Sequence, residues 1–147
     1  GTTVDGYHAD MTRTIVVGKP DARQAEVLGA VREALEAAIA LIRPGVPVAK
    51  VVKAAQTVME RHGLGAANPF GLGHGVGLAL HEEPWLVPGE VGVLQEGMVL
   101  AVEPGAYLPG WGGVRLEELL RVDAVGAERL TALEGRPLAL FPLAKSC

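Results

Sequence analysis

Apolar and polar positions fall into three textures along the chain. From Gly1 to Val17 they alternate: Thr2-Thr3-Val4, a break at Asp5-Gly6, then Tyr7 to Val17, where His8, Asp10, Thr12 and Thr14 fall on every second residue. Period-two alternation around Asp-Gly predicts a β-hairpin, because both central residues of a tight type I′ turn need positive φ. A two-residue loop sets Val4 opposite Tyr7 and Gly1 opposite Asp10, with His8, Asp10, Thr12 and Thr14 on one face. A break at Gly18-Lys19-Pro20 follows. The period then becomes helical. Leu28, Val31, Leu35, Ile39 and Ile42 form a stripe at three-and-four spacing, and Asp21 with Gln24 resembles a capping box, so a helix is expected from about Ala22 to Ile42. Arg43-Pro44-Gly45 ends it. A second helix is expected from about Val48 to His62, with Val51, Val52, Ala55, Val58 and Met59 inward and Gly63 as its stop.

Beyond Gly63 the texture is glycine-rich and strand-like, in three runs: Phe70 to Leu80, Met98 to Pro104 and Val114 to Val122. Helices followed by strands bounded by Gly and Pro predict an α+β domain, with the helices covering one face of a mostly antiparallel sheet. There is no internal repeat or low-complexity tract, and 147 residues suit one compact unit.

Composition removes several classes. With 49% apolar and 20% charged residues the chain is globular, since disorder requires low hydrophobicity with high net charge. Thirteen basic residues against seventeen acidic ones, with no basic block, argue against nucleic acid. No apolar run approaches the ~20 residues of a membrane helix. The single Cys147 forms no internal disulfide, which makes the cytoplasm the default compartment.

The densest signal for chemistry is Gly71-Leu72-Gly73-His74-Gly75-Val76-Gly77, with His81-Glu82-Glu83 shortly after. Glycines at alternate positions leave the backbone open to close approach, which frees His74 from crowding neighbours. Phosphate-loop spacings fail here, because Val76 stands where G-x-G-x-x-G needs glycine. Taken alone, His74 reads as a structural histidine or a ligand, and His81 as part of a solvated acidic turn or as a functional group. Glu103 closes the apolar strand Met98 to Val102; it is either at a watered edge or paired, since an isolated buried charge is very unfavourable. Arg115 and Glu117 share strand parity, which fits a surface ion pair as well as a site, and Glu118 competes with Glu117 on parity alone. Together, Asp10, His74, Glu103 and Glu117 form an oxygen-and-imidazole set suited to Mn, Co, Zn or Fe(II).

In four pieces the chain resembles the pita-bread metallopeptidases, the family of methionine aminopeptidase, Xaa-Pro aminopeptidase and prolidase. These are Asp10-Met11-Thr12-Arg13-Thr14, Gly73-His74-Gly75-Val76-Gly77 with His81-Glu82, Val102-Glu103-Pro104-Gly105, and Gly113-Val114-Arg115-Leu116-Glu117. The resemblance implies a partial pita-bread fold with two divalent metal ions, Mn, Co or Zn, or else Fe. It makes Asp10 and Glu117 bridging carboxylates and His74 and Glu103 further ligands. His81 becomes a catalytic, substrate-contacting histidine, and Glu103 also the proton carrier. Thr12 and Arg115 become groups that orient the ligating carboxylates. It settles Glu117 over Glu118.

The implied activity is hydrolysis of Xaa-Pro peptide bonds, of aminopeptidase P or prolidase type, by a hydroxide held between the metals. Val114-Arg115-Leu116-Glu117-Glu118 is similar to the Xaa-Pro peptidases, whereas methionine aminopeptidases usually carry histidine after the last ligand. Methionine aminopeptidase is the alternative, and a metal-free binding module or creatinase-type hydrolase the alternative of another class. The expected partner is a peptide substrate, with neither nucleic acid nor membrane; a homodimer is open. The family's further aspartate, eleven residues before the Asp10 position, falls two residues ahead of Gly1. Residues 1–147 are therefore expected to be the C-terminal part of the catalytic domain, with impaired metal loading on their own.

Overall fold

The computed structural model describes residues 1–131. Cys147 lies outside the described residues.

The hairpin forms as its turn chemistry dictates. Strands β1 (Thr2–Val4) and β2 (Tyr7–Ala9) pair antiparallel with Val4 opposite Tyr7 and Thr2 opposite Ala9, around Asp5 and Gly6 at φ of 50° and 86°. Continuing that register sets Gly1 opposite Asp10. The expected strand to Val17 stops at Ala9. Beyond it the chain runs on as an extended arm without a regular ladder, fixed by individual bonds such as Glu117 N–H to the Thr12 carbonyl at 3.1 Å.

Helix α1 (Ala22–Ile39) starts on the expected capping box: Asp21 Oδ1 accepts from Gln24 N at 2.8 Å, and Gln24 Oε1 accepts from Asp21 N at 3.0 Å. It ends three residues before the expected Ile42. Leu41 and Ile42 donate to Ala38 and Ile39, three residues back, so the last turn tightens before Pro44. The buried face is Val27, Ala30, Val31, Ala34, Leu35 and Ala38, so small alanines let neighbours approach where the predicted stripe had larger Leu28 and Ile39. Helix α2 (Val48–Arg61) buries Val51, Val52, Ala55, Val58 and Met59 as expected and stops at Gly63, φ 70°.

The main sheet has the order β4-β3-β5-β8-β9, every neighbour antiparallel: β3 (Gly73–Gly75), β4 (Glu82–Leu86), β5 (Val99–Val102), β8 (Glu118–Val122) and β9 (Ala127–Arg129). A separate hairpin, β6 (Gly105–Leu108) with β7 (Gly112–Arg115), links β5 to β8. Three expectations change here. Phe70 to Leu80 shortens to three strand residues. The acidic stretch after His81 is strand β4, and Val114 to Val122 breaks at Leu116-Glu117 into strands of two different sheets. Gly73 explains the tight centre: at φ 152°, a Cβ there would lie 1.9 Å from the Ala101 carbonyl oxygen.

Alternation then assigns the faces. Leu86, Leu100, Val102, Leu120 and Val122 pack with both helices in the main core, whereas Val76, Ala101 and Leu119 form a small cluster with Ala9 and Val99 on the other face. That second face carries the site.

Candidate metal centre

Register alone gathers most of the chemistry. His74 pairs with Ala101, and so projects from the face opposite the helices. Glu103 lies two residues beyond Ala101 and Glu117 two residues before Leu119, which gives both the same parity. In the β5–β8 register Val102 faces Glu118, so the next pair along is Glu103 with Glu117. Asp10 arrives from the N-terminal arm, held by His8 N–H to the Gly77 carbonyl at 2.9 Å and by the Thr12 to Glu117 bond.

The side chains converge accordingly. His74 is 4% exposed; its Nδ1 is 2.9 Å from the Gly75 carbonyl oxygen and its Nε2 is 3.4 Å from Glu103 Oε1. With Nδ1–H given to that carbonyl, Nε2 keeps its lone pair on the side facing Glu103. Asp10, His74 and His81 each place one ligand atom within 4.8 Å of the others, and the His74 and His81 rings meet edge to face at 4.2 Å. Thr12 Oγ1 donates to Glu117 Oε2 at 2.7 Å and accepts from Arg115 Nε at 3.1 Å. Arg115 Nε also lies 3.7 Å from Glu103 Oε2, and its Nη1 donates to the Tyr107 hydroxyl at 3.3 Å.

Glu117 is 1% exposed, and its Oε1 is buried without any hydrogen-bond partner. Burial pushes its carboxyl above the usual value, aided by the charges of Asp10 and Glu103 and opposed by the Thr12 bond and Arg115. At His74 burial disfavours the charged form, but the Glu103 carboxylate, the Gly75 carbonyl and Asp10 outweigh it and leave the imidazole more basic than usual. Three carboxylates, one of them with an orphaned buried oxygen, and an imidazole form the donor set. Such a set fits a hard or borderline divalent metal.

All the sequence-predicted residues fall in this one region. Two features differ from expectation. His74 is buried against His81 and Trp85, where the alternate glycines had suggested open space. Those glycines serve backbone contact, since a Cβ on Gly75 would lie 2.3 Å from the Glu83 carbonyl oxygen. His81 sits as near to Asp10 and His74 as a ligand would, a proximity that strand parity could not supply because the β3–β4 pairing shifts register between His74 and Gly75. Tyr107 and Arg13 escape the sequence reading, the first because β6 carries too little alternation to register, the second because the Glu117 carbonyl and Glu118 carboxylate it holds lie 104 and 105 residues away.

Residues 1–124 match the family described as metallopeptidase family M24. The Xaa-Pro dipeptidase of Pyrococcus furiosus is 40% identical over 134 residues, which is 91% of this chain and 38% of that protein. Among solved structures, the prolidase from Pyrococcus furiosus superposes with a TM-score of 0.86 at 41% identity, covering 88% of this chain and 39% of that one. The X-Pro aminopeptidase from Thermotoga maritima superposes at 0.89 with 36% identity, covering 97% and 40%. The chain belongs to metallopeptidase family M24, and its α+β architecture is part of the pita-bread fold. It spans about two fifths of the length of the relatives it matches.

Proposed function

We propose that the protein carrying this chain is a divalent-metal peptidase that cleaves Xaa-Pro peptides, with Asp10, His74, Glu103 and Glu117 as metal ligands. The observation that carries this reading is the orphaned Oε1 of Glu117, buried beside the charges of Asp10 and Glu103, where a cation would satisfy it. Two ions, Mn, Co or Zn, or else Fe, which Asp10, His74, Glu103 and Glu117 would hold, form the finer part of the reading; it draws on the family resemblance. Bound divalent metals supply Lewis acidity and water made acidic enough to ionise near neutral pH.

The chain's own groups do the rest. Thr12 and Arg115 fix the Glu117 carboxylate, so that one oxygen stays committed to the hydroxyl and the other stays free. His81, exposed at the rim, donates a hydrogen bond to the substrate carbonyl as negative charge develops on its oxygen. Glu103, partly exposed and directed at His74, passes a proton to the departing amine. Similarity to an Xaa-Pro dipeptidase, a prolidase and an X-Pro aminopeptidase favours the proline-directed reading. The cytoplasm is the proposed setting; among the described residues no helix is long and apolar enough to cross a membrane.

One observation favours a second assignment, His81 as a ligand, because it clusters with Asp10 and His74. Metal uptake by His81→Ala separates the two. The activity itself is tested on the full-length gene product loaded with Mn2+ or Co2+, offered Xaa-Pro dipeptides, longer Xaa-Pro peptides and Met-Xaa peptides. Chelator-sensitive cleavage before proline is the expected result. Methionine release, or no cleavage of any of these peptides, contradicts it.

A further inference from the structure

We propose that Arg13 is a positioning residue of this centre, a clamp that fixes the Glu117 peptide against the arm carrying Asp10; the inference rests on the metal reading above. The arm from Asp10 to Val16 has no ladder of its own, so discrete contacts must set how far Asp10 lies from Glu117. Thr14 supplies one at the far end, where its Oγ1 accepts from Arg115 N at 3.0 Å and donates to the Arg115 carbonyl at 2.8 Å. Apart from Arg115 Nε on the Thr12 hydroxyl, the remaining long-range contacts converge on Glu117 and Glu118.

Arg13 Nη1 donates to the Thr12 carbonyl at 3.1 Å and to the Glu117 carbonyl, and Nη2 donates to Glu118 Oε1 at 2.9 Å. The same Thr12 carbonyl accepts from Glu117 N–H at 3.1 Å, which uses both of its lone pairs. Glu117 is therefore gripped on either side of its Cα: N–H by Thr12 and C=O by Arg13. Since side-chain direction follows backbone orientation, this grip, with the Thr12 hydroxyl on Oε2, aims the orphaned Oε1. Glu118 has its own role: one oxygen takes Arg13, and the other accepts from the Thr131 hydroxyl. The ion pair is mostly enclosed, with side chains 20% and 13% exposed, so salt screens it less than an open surface pair.

The fork geometry matters. A guanidinium holds a carbonyl and a carboxylate at once from one rigid plane, whereas a lysine ammonium is a single point on a flexible stem. Arg13 touches neither substrate nor metal; it acts through Glu117.

The test uses the full-length gene product that carries this chain, with Arg13→Lys, Arg13→Met and Glu118→Gln. Three quantities are measured: melting temperature, amide exchange at Glu117 relative to Leu100 and Leu120, and Mn2+ affinity by calorimetry where every variant is folded. Arg13→Lys should weaken Mn2+ binding about tenfold and raise Glu117 exchange to a similar degree, with the Leu100 and Leu120 amides unchanged. Glu118→Gln, which leaves the carbonyl contact in place, should fall between, and it keeps the question answerable if Arg13→Met does not fold. A variant that melts earlier yet binds Mn2+ within about twofold of the parent, with normal Glu117 exchange, makes Arg13 only a fold-stabilising pair and overturns the inference. A full-length parent that takes up no Mn2+ overturns the metal reading, and the role of Arg13 with it.

Discussion

Replacing Glu117 by Gln should stabilise the metal-free protein and destabilise the metal-loaded one relative to the parent. Gln keeps the shape. Its carbonyl can accept from Thr12 as Oε2 now does, and its amide nitrogen would stand where the orphaned Oε1 lies, as a donor facing the carboxylates of Asp10 and Glu103. Relieving a buried unsatisfied group is worth about 1–3 kcal/mol, and taking ~2 kcal/mol at roughly 2–4 °C per kcal/mol gives a melting temperature about 4–8 °C higher in EDTA. Mn2+ at about 100 times its Kd stabilises the parent by about 2.7 kcal/mol, a gain the variant largely forfeits. The two melting curves therefore exchange order between EDTA and Mn2+. The effect also has a pH signature. Glu117 has a raised folded pKa through burial, the Thr12 bond opposing and Asp10 and Glu103 assisting, so its favourable contribution exists below the usual 4.5 and is lost as pH rises through the raised value. The advantage of Gln in EDTA should then be full at neutral pH and shrink as the solution is acidified towards 4.5. Differential scanning fluorimetry with and without metal across that range is the assay. A Glu117→Gln protein less stable than the parent in EDTA at neutral pH would refute the reasoning, because it would show the carboxylate to be satisfied by the protein alone.

Other positions give sharper separations of role. His81→Ala in the full-length enzyme should lose about 10²–10³ in kcat while retaining Mn2+ affinity; a lost affinity would make His81 a ligand. Gly73→Ala places a Cβ 1.9 Å from the Ala101 carbonyl oxygen between two central strands, so destabilisation beyond ~4 kcal/mol is expected by chemical denaturation, and a parental midpoint would contradict the strand spacing. Asp21→Ala removes the α1 cap and should lower stability by about 1 kcal/mol with no change in Mn2+ affinity; a change in affinity would show that α1 reaches the site.

What could be read from the chain beforehand follows physical range. The Asp5-Gly6 turn, the Asp21–Gln24 capping box and the inward face of α2 are set by neighbours within a few residues, and each formed where the pattern placed it. The strands erred wherever pairing, not alternation, decides: His81-Glu82-Glu83 reads as an acidic turn until β3 pairs with β4, and Gly105–Leu108 has no pattern until β7 folds back. At the site, residue types and parity picked out His74, Glu103 and Glu117 but left Glu117 and Glu118 equivalent. The fold divides them, giving Glu118 to Arg13 and Thr131 and leaving Glu117 buried with an unmatched oxygen. That asymmetry depends on contacts across more than a hundred residues, beyond any local signal.

The metal centre is the central claim, and anomalous diffraction at the manganese edge from crystals of the Mn2+-loaded protein tests it most directly. An anomalous peak about 2.0–2.3 Å from oxygens of Asp10, Glu103 and Glu117, with His74 Nε2 at a similar distance, is the expected result. A fully loaded crystal in which manganese lies elsewhere, with Glu117 Oε1 still unliganded, would contradict it.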